Sequence, residues 1–215
     1  MPSDCFTYLY LHGFASGPKS AKAQYLRDRF SECAIALNIP DLNQGDFLNL
    51  TLTRQIRQVE AEFFAPPRRA IAIGSSFGGL TATWLAQRQA SIEKLVLLAP
   101  AFDFLSHLLP HLGRTQLQQW QNDGTLSVYH YGYGQETPLK YNFIKDLTHY
   151  DDGKLGRFIP TLILHGTQDE VIPIQSSRDF ARDRPGVELV ELEDDHSLGN
   201  VLPDIWEQVK RFLEL

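Results

Sequence analysis

The stretch Ala70-Ile71-Ala72-Ile73-Gly74-Ser75-Ser76-Phe77-Gly78-Gly79-Leu80 decides the fold. A short apolar run leads into G-x-S-x-G, and a segment with helical character, residues 80–89, follows at once. Strand, tight turn and helix, with serine at the tip, is the setting a nucleophile elbow requires. A strand that reverses directly into a helix strains the residue at the tip and brings neighbouring chain very close. Glycine two positions before and two positions after the serine removes the Cβ atoms that would collide. Ser76, not Ser75, is central between Gly74 and Gly78. Its hydroxyl then stands clear of the strand, at a helix N-terminus whose unpaired N–H groups can receive an anion. The competing reading is an ordinary strand-to-helix turn with glycines for steric reasons alone.

Three other stretches supply what such a serine needs. Tyr8-Leu9-Tyr10-Leu11-His12-Gly13-Phe14 is an apolar run ending in a loop of small residues. Acyl transfer develops an oxyanion that requires two preorganised N–H donors. Phe77, directly after the serine, and Phe14, in this earlier loop, are the candidate donors. His12 and Gly13 are assigned to the same substrate-binding loop, His12 supporting it by hydrogen bonding rather than titrating. Thr161-Leu162-Ile163-Leu164-His165-Gly166-Thr167-Gln168-Asp169 brings a carboxylate to the end of another apolar run. Asp169 is the candidate that orients a histidine base, with Glu170 and the more remote Asp103 as competitors. Its bland alternative is an Asx turn serving only the loop. Finally, Glu193-Asp194-Asp195-His196 follows the strand-like 187–192. A lone histidine is weak evidence, but His196 completes the chain order Ser…Asp…His, which differs from the chymotrypsin and subtilisin orders. Asp194 and Asp195 read as loop-capping carboxylates.

Strand candidates fall at 6–11, 34–39, 70–73, 95–98, 161–164 and 187–192, and helical patterns at 19–30, 53–63, 80–89, 175–181 and 203–213. Alternation of this kind implies an α/β protein, a parallel sheet with helices on both faces. The strands are short and apolar throughout, as a sheet covered on both sides demands. The candidate residues all follow strand C-termini, where open α/β sheets place their sites. The exception is the region 103–157, too long for a plain crossover. Its leucines and the run Val128-Tyr129-His130-Tyr131-Gly132-Tyr133 are expected to form a cap or lid, with a short strand or hairpin lining the pocket. Covering a sheet edge is the alternative. His107, His111, His130 and His149 lack metal-ligand spacing and read as surface or cap residues.

Composition narrows the function classes. With 215 residues, one domain spanning 1–215 is expected. A formal charge of −6 argues against nucleic acid or an anionic membrane as partner; Arg68-Arg69 is a single basic pair, read as a solvated loop. Cys5 and Cys33 lie in no motif and are expected to be reduced, partly buried thiols. No Rossmann, P-loop or zinc motif is present, so no cofactor is expected. No run reaches the length of a membrane span, and the N-terminus lacks a secretory pattern. The expectation is a cytoplasmic enzyme acting on a small molecule, its oligomeric state open.

Taken together, Tyr10-Leu11-His12-Gly13-Phe14 with Ser16 and Pro18, Gly74-Ser75-Ser76-Phe77-Gly78-Gly79, His165-Gly166-Thr167-Gln168-Asp169-Glu170-Val171 and Asp195-His196 resemble an α/β-hydrolase, and more narrowly the small bacterial YqiA-like esterases. The resemblance implies a sheet of order 2-1-3-4-5-6, counting the strands above; the superfamily's usual extra N-terminal strands are expected to be missing, because the first strand begins almost at residue 6. It implies a serine hydrolase using Ser76, His196 and Asp169 on carboxylic esters or thioesters. Two other readings use the same fold: a lyase or C–C bond hydrolase with His196 as proton-transfer base, and a non-catalytic binder of small ligands. The intact Ser76, Asp169 and His196 speak against the binder.

Overall fold

The computed structural model describes residues 6–64 and 68–215. Its elements are β1 (Thr7–Leu11), α1 (Ala21–Glu32), β2 (Leu37–Asn38), α2 (Leu52–Phe63), β3 (Ala70–Ser75), α3 (Phe77–Arg88), β4 (Ile92–Leu98), α4 (Phe104–Asp123), β5 (Thr125–His130), β6 (Gln135–Lys140), α5 (Asn142–Leu147), β7 (Thr161–Gly166), α6 (Ile174–Arg182), β8 (Val187–Leu192) and α7 (Leu202–Leu213). Six strands form one sheet in the order β2-β1-β3-β4-β7-β8, and each neighbouring pair runs parallel. This is the order the resemblance implies, with β7 and β8 as fifth and sixth strands.

Period-two alternation inside the apolar strands divides the core. Leu9, Leu11, Ala70, Ala72, Leu95, Leu97 and Ile163 face one side, with α2, α3 and the region after β4. Tyr10, Ile71, Ile73, Val96, Leu98, Leu162 and Leu164 face the other, with α1 and α7. Burying each large aliphatic side chain is worth about 1.5–3 kcal/mol, so both faces must be covered. No helix among the described residues is long and apolar enough to cross a membrane.

Some boundaries move for local reasons. The strand expected at 34–39 shrinks to two residues, because Ala34 takes a left-handed φ of 59° and only Leu37 and Asn38 pair with β1. Helix α3 begins three residues earlier than its apolar pattern suggests, directly at Phe77. Cys33 is an exposed free thiol rather than a partly buried one, since it lies just beyond α1 at the surface; Cys5 falls outside the described residues. Arg69 is engaged rather than merely solvated, holding Glu93 with two hydrogen bonds of 2.6 and 2.9 Å.

Region 103–157 contains α4, the antiparallel hairpin β5–β6 and α5. Leu105, Leu108, Leu109 and Leu112 follow helical spacing and pack on the core. Gly113, at φ 69°, then kinks α4. The hairpin is held by the indole of Trp120, which donates to the Leu139 carbonyl at 2.9 Å.

The glycines of the elbow are sterically obligatory. A Cβ on Gly74 would lie 2.3 Å from the Gly78 carbonyl oxygen, and one on Gly78 would lie 2.0 Å from the Leu11 carbonyl oxygen. Both obstacles are backbone and cannot swing aside. Gly17 has open space around its Cβ position. Gly78→Ala should therefore cost several kcal/mol or prevent folding, whereas Gly17→Ala should stay within about 0.5 kcal/mol of wild type; urea unfolding of both variants checks this.

Candidate active site

Ser76 sits between β3 and α3 with φ 53° and ψ −119°, a conformation costing on the order of 1–3 kcal/mol for a residue with a side chain. It occupies the N-cap of α3, yet its hydroxyl does not cap the helix. A serine there ordinarily contributes about 1 kcal/mol by bonding the first-turn N–H groups. Here Oγ lies 2.9 Å from Nε2 of His196 instead.

His196 lies in the loop after β8, and its Nδ1 is 2.6 Å from Oδ2 of Asp169, in the loop after β7. A carboxylate only accepts, so Nδ1 carries the proton and Nε2 is left to accept from the Ser76 hydroxyl. The sequence therefore brings Ser76, His196 and Asp169 together across 120 and 27 residues. Glu170 is exposed. Asp103 is the N-terminal flanking residue of α4, at φ 51°, and its backbone N–H donates to Asp152 at 2.9 Å.

The two oxygens of Asp169 have different partners. Oδ1 accepts from the backbone N–H of Val171 at 2.9 Å and of Ile172 at 2.8 Å, which is the turn-stabilising role. Oδ2 takes His196 and also Nε2 of His165 at 3.1 Å. His165 Nε2 faces a second acceptor, the Ile172 carbonyl at 2.9 Å, so it carries a proton. The neutral ring's Nδ1 then accepts from the Ser177 hydroxyl at 2.7 Å. Burial works to raise the Asp169 pKa, but the His165, His196 and Ile172 donors outweigh it and hold the carboxyl well below the usual carboxylate range.

Gly166 makes this meeting possible. A Cβ on it would come within 2.3 Å of the Asp194 carbonyl oxygen and 2.6 Å of that of Asp195. The two loops bearing Asp169 and His196 are thus pressed backbone to backbone. Asp194 and Asp195 cap their loop as expected: Asp194 accepts from Asp195 N, Asn200 N and Asn200 Nδ2, each at 2.9 Å, and Asp195 accepts from Ser197 N at 2.8 Å and Oγ at 2.6 Å.

On the opposite side, Gly13 borders the serine: a Cβ there would lie 3.4 Å from Ser76 Cβ. The Phe77 N–H opens α3 and has no intrahelical acceptor; among the described residues neither it nor the Phe14 N–H donates to a protein acceptor. The Phe14 and Phe77 rings pack 6.2 Å apart, and Phe104 and Phe143 from region 103–157 close around them at 5.1–6.2 Å. The assignment of His12 to substrate binding needs correction. Its ring is wholly buried, with Nε2 accepting from Leu42 N at 3.0 Å and Nδ1 3.0 Å from the Gly13 carbonyl. It supports the loop and leaves no ring atom for a ligand. Of the remaining histidines, His111 and His149 are exposed, His107 bonds Ser176 at 2.9 Å, and His130 is wholly buried and stacked on Tyr133.

Sheet order and elbow together define an α/β-hydrolase. The chain belongs to the uncharacterised protein family UPF0227, whose model matches residues 7–214, in line with the YqiA-like resemblance. Similar solved structures include Est1E from Butyrivibrio proteoclasticus with ferulic acid bound, at TM-score 0.83 and 22% identity over 99% of this chain and 90% of that one. Mouse alpha/beta hydrolase domain-containing protein 10 aligns at TM-score 0.77 and 21% identity, covering 97% and 89%. The esterase domain of a Rhodothermus marinus protein aligns at 0.65 and 19%, covering 98% and 90%. No curated protein matches the chain.

The depressed Asp169 pKa has a consequence for stability. The ionised carboxylate contributes stability that is complete above the unfolded value near pH 4 and is lost as pH falls through the lower native value. Asp169→Asn removes this titration. Between about pH 4 and pH 2, wild-type stability should fall more steeply than that of the variant, by up to about 1.4 kcal/mol per pH unit; urea midpoints measured across this range check it.

Proposed function

We propose that the protein is a serine hydrolase of carboxylic esters or thioesters. The observation that carries this reading is the unbroken hydrogen-bonded path from Ser76 Oγ through His196 to Asp169, at 2.9 and 2.6 Å, on a strained elbow. Structural neighbours described as esterases agree with it.

Ser76 Oγ attacks the carbonyl carbon while its proton passes to His196 Nε2. The carbonyl electron pair moves onto oxygen, where the N–H groups of Phe14 and Phe77 stabilise the charge. The tetrahedral centre collapses, the bond to the leaving oxygen or sulfur breaks, and His196 gives its proton to that atom. Water then attacks the acyl-enzyme with His196 as base, and Ser76 departs reprotonated. Asp169 stays ionised throughout and stabilises the imidazolium.

Region 103–157 is the proposed cap. Phe104 and Phe143 belong to it; Phe104 and Phe14 make a partly exposed aromatic wall, backed by the wholly buried Phe77 and Phe143 rings. Such a wall suits an apolar acyl group, and the aromatic acid bound by Est1E is chemistry of that kind.

Hydrolysis of p-nitrophenyl esters from acetate to palmitate tests the reading. Ser76→Ala should lose at least about 10⁴-fold in turnover and all labelling by a fluorophosphonate, while Asp169→Asn should lose roughly 10²–10⁴-fold. Full turnover by Ser76→Ala would overturn it. Phe14→Leu should stay within about tenfold, because its donor is backbone. Phe77→Ala is a poorer probe, since that ring is wholly buried and its removal leaves a cavity costing about 3–5 kcal/mol.

A further inference from the structure

We propose that Lys22 is a positioning residue for His196, clamping the loop that carries the histidine so that the imidazole stays aligned on Ser76. The inference rests on the reading of Ser76, His196 and Asp169 given above.

Lys22 lies in the first turn of α1 and has no part in the chemistry as derived. Its Nζ donates to the backbone carbonyl of Ser197, the residue directly after His196, at 2.6 Å. The bond spans 175 positions and joins the first turn of α1 to the loop that carries His196. The histidine loop is held on its other side by the tight approach of Gly166 to Asp194 and Asp195, and by Gln168 N donating to the Asp194 carbonyl at 3.0 Å. Internally it is wound by the Asp194 and Asp195 side chains. Lys22 therefore braces from α1 a loop that is otherwise fixed from β7 and from within.

The charge matters as much as the bond. The groups facing Lys22 are Asp169 after β7 and Asp195 and Asp194 after β8, all within electrostatic range; His196 directly follows Asp195 and is bonded to Asp169. The pull of these carboxylates holds the ammonium over the histidine loop and strengthens its bond to the Ser197 carbonyl. Burial lowers the Lys22 pKa to about 8, against the pull of Asp169, Asp195 and Asp194. The cation is complete below that pH and is lost as pH rises through it.

The test compares wild type, Lys22→Met, Lys22→Arg and Ser76→Ala on p-nitrophenyl butyrate between pH 5 and pH 10, with circular dichroism to confirm folding. Lys22→Met should lose roughly 10- to 100-fold in kcat with KM little changed. Lys22→Arg should restore most of the rate, because its guanidinium can donate to the same carbonyl. A folded Lys22→Met with wild-type kcat, or a folded Lys22→Arg that restores none of the lost rate, would overturn the proposal. Should Lys22→Met fail to fold, Lys22→Ala is read in its place: reduced kcat at unchanged KM supports the clamp, and wild-type kcat refutes it. Full activity in Ser76→Ala would instead remove the underlying serine-hydrolase reading.

Discussion

The carboxyl end of the sheet depends on one close approach of backbone to backbone. The first turn of α3 lies so near the end of β1 that Gly78 has no room for a methyl group beside the Leu11 carbonyl. That contact sets the angle at which α3 leaves the sheet, and with it the strained backbone of Ser76. It also brings Gly13, the residue before Phe14, against the serine.

The second half of the site is organised by an analogous approach, Gly166 against the Asp194 and Asp195 carbonyls. The two approaches differ in what they leave to side chains. At the elbow, Ser76 forgoes both a relaxed backbone and its helix-capping bond, a combined cost on the order of 2–4 kcal/mol. At the Asp169–His196 junction, the carboxylate accepts four hydrogen bonds, two from backbone and two from imidazoles. Strain is concentrated at Ser76, while the Asp169 carboxylate that holds His196 is over-determined.

The legibility of these features in the sequence follows their range. The elbow could be read because strand, glycines and helix are contiguous, and even its steric reason is local. Ser76, Asp169 and His196 could be read because each ends a recognisable apolar strand and their order suits one fold. The strand at 34–39 was read too long because its apolar alternation is present but Ala34 is turned out of extended geometry, leaving two residues to pair with β1. His12 could be placed in the right loop but not turned, since only the fold reveals that its ring points inward to Leu42. Gly166, the His165–Ser177 pair and Lys22 carry no local pattern that announces their partners. The H-G-x-x-D spacing was visible, yet what its histidine does depends on α6, and what its glycine permits depends on the loop after β8.

Region 103–157 was unreadable for the same reason and to a greater degree, because its order comes from contacts with the frame. Asp146 accepts from Thr53 N at 2.9 Å at the start of α2. Asp152 joins the Trp84 indole of α3 to the Asp103 backbone, both at 2.9 Å. Arg157 spends its guanidinium on four carbonyls, those of Ala86, Gln89, Ala90 and Ile92. The hairpin tip packs on the β1–α1 loop, where Gly132 has Ser16 and Gly17 backbone within 3.3 Å of its Cβ position. The segment is thus tied to α2, α3, β4 and the Phe14 loop along much of its length, while Pro110 and Gly113 interrupt α4, whose His107 bonds Ser176 of α6. On the esterase reading proposed above, selectivity among acyl groups would follow from the partly exposed Phe14 and Phe104 rings and from the path of α4.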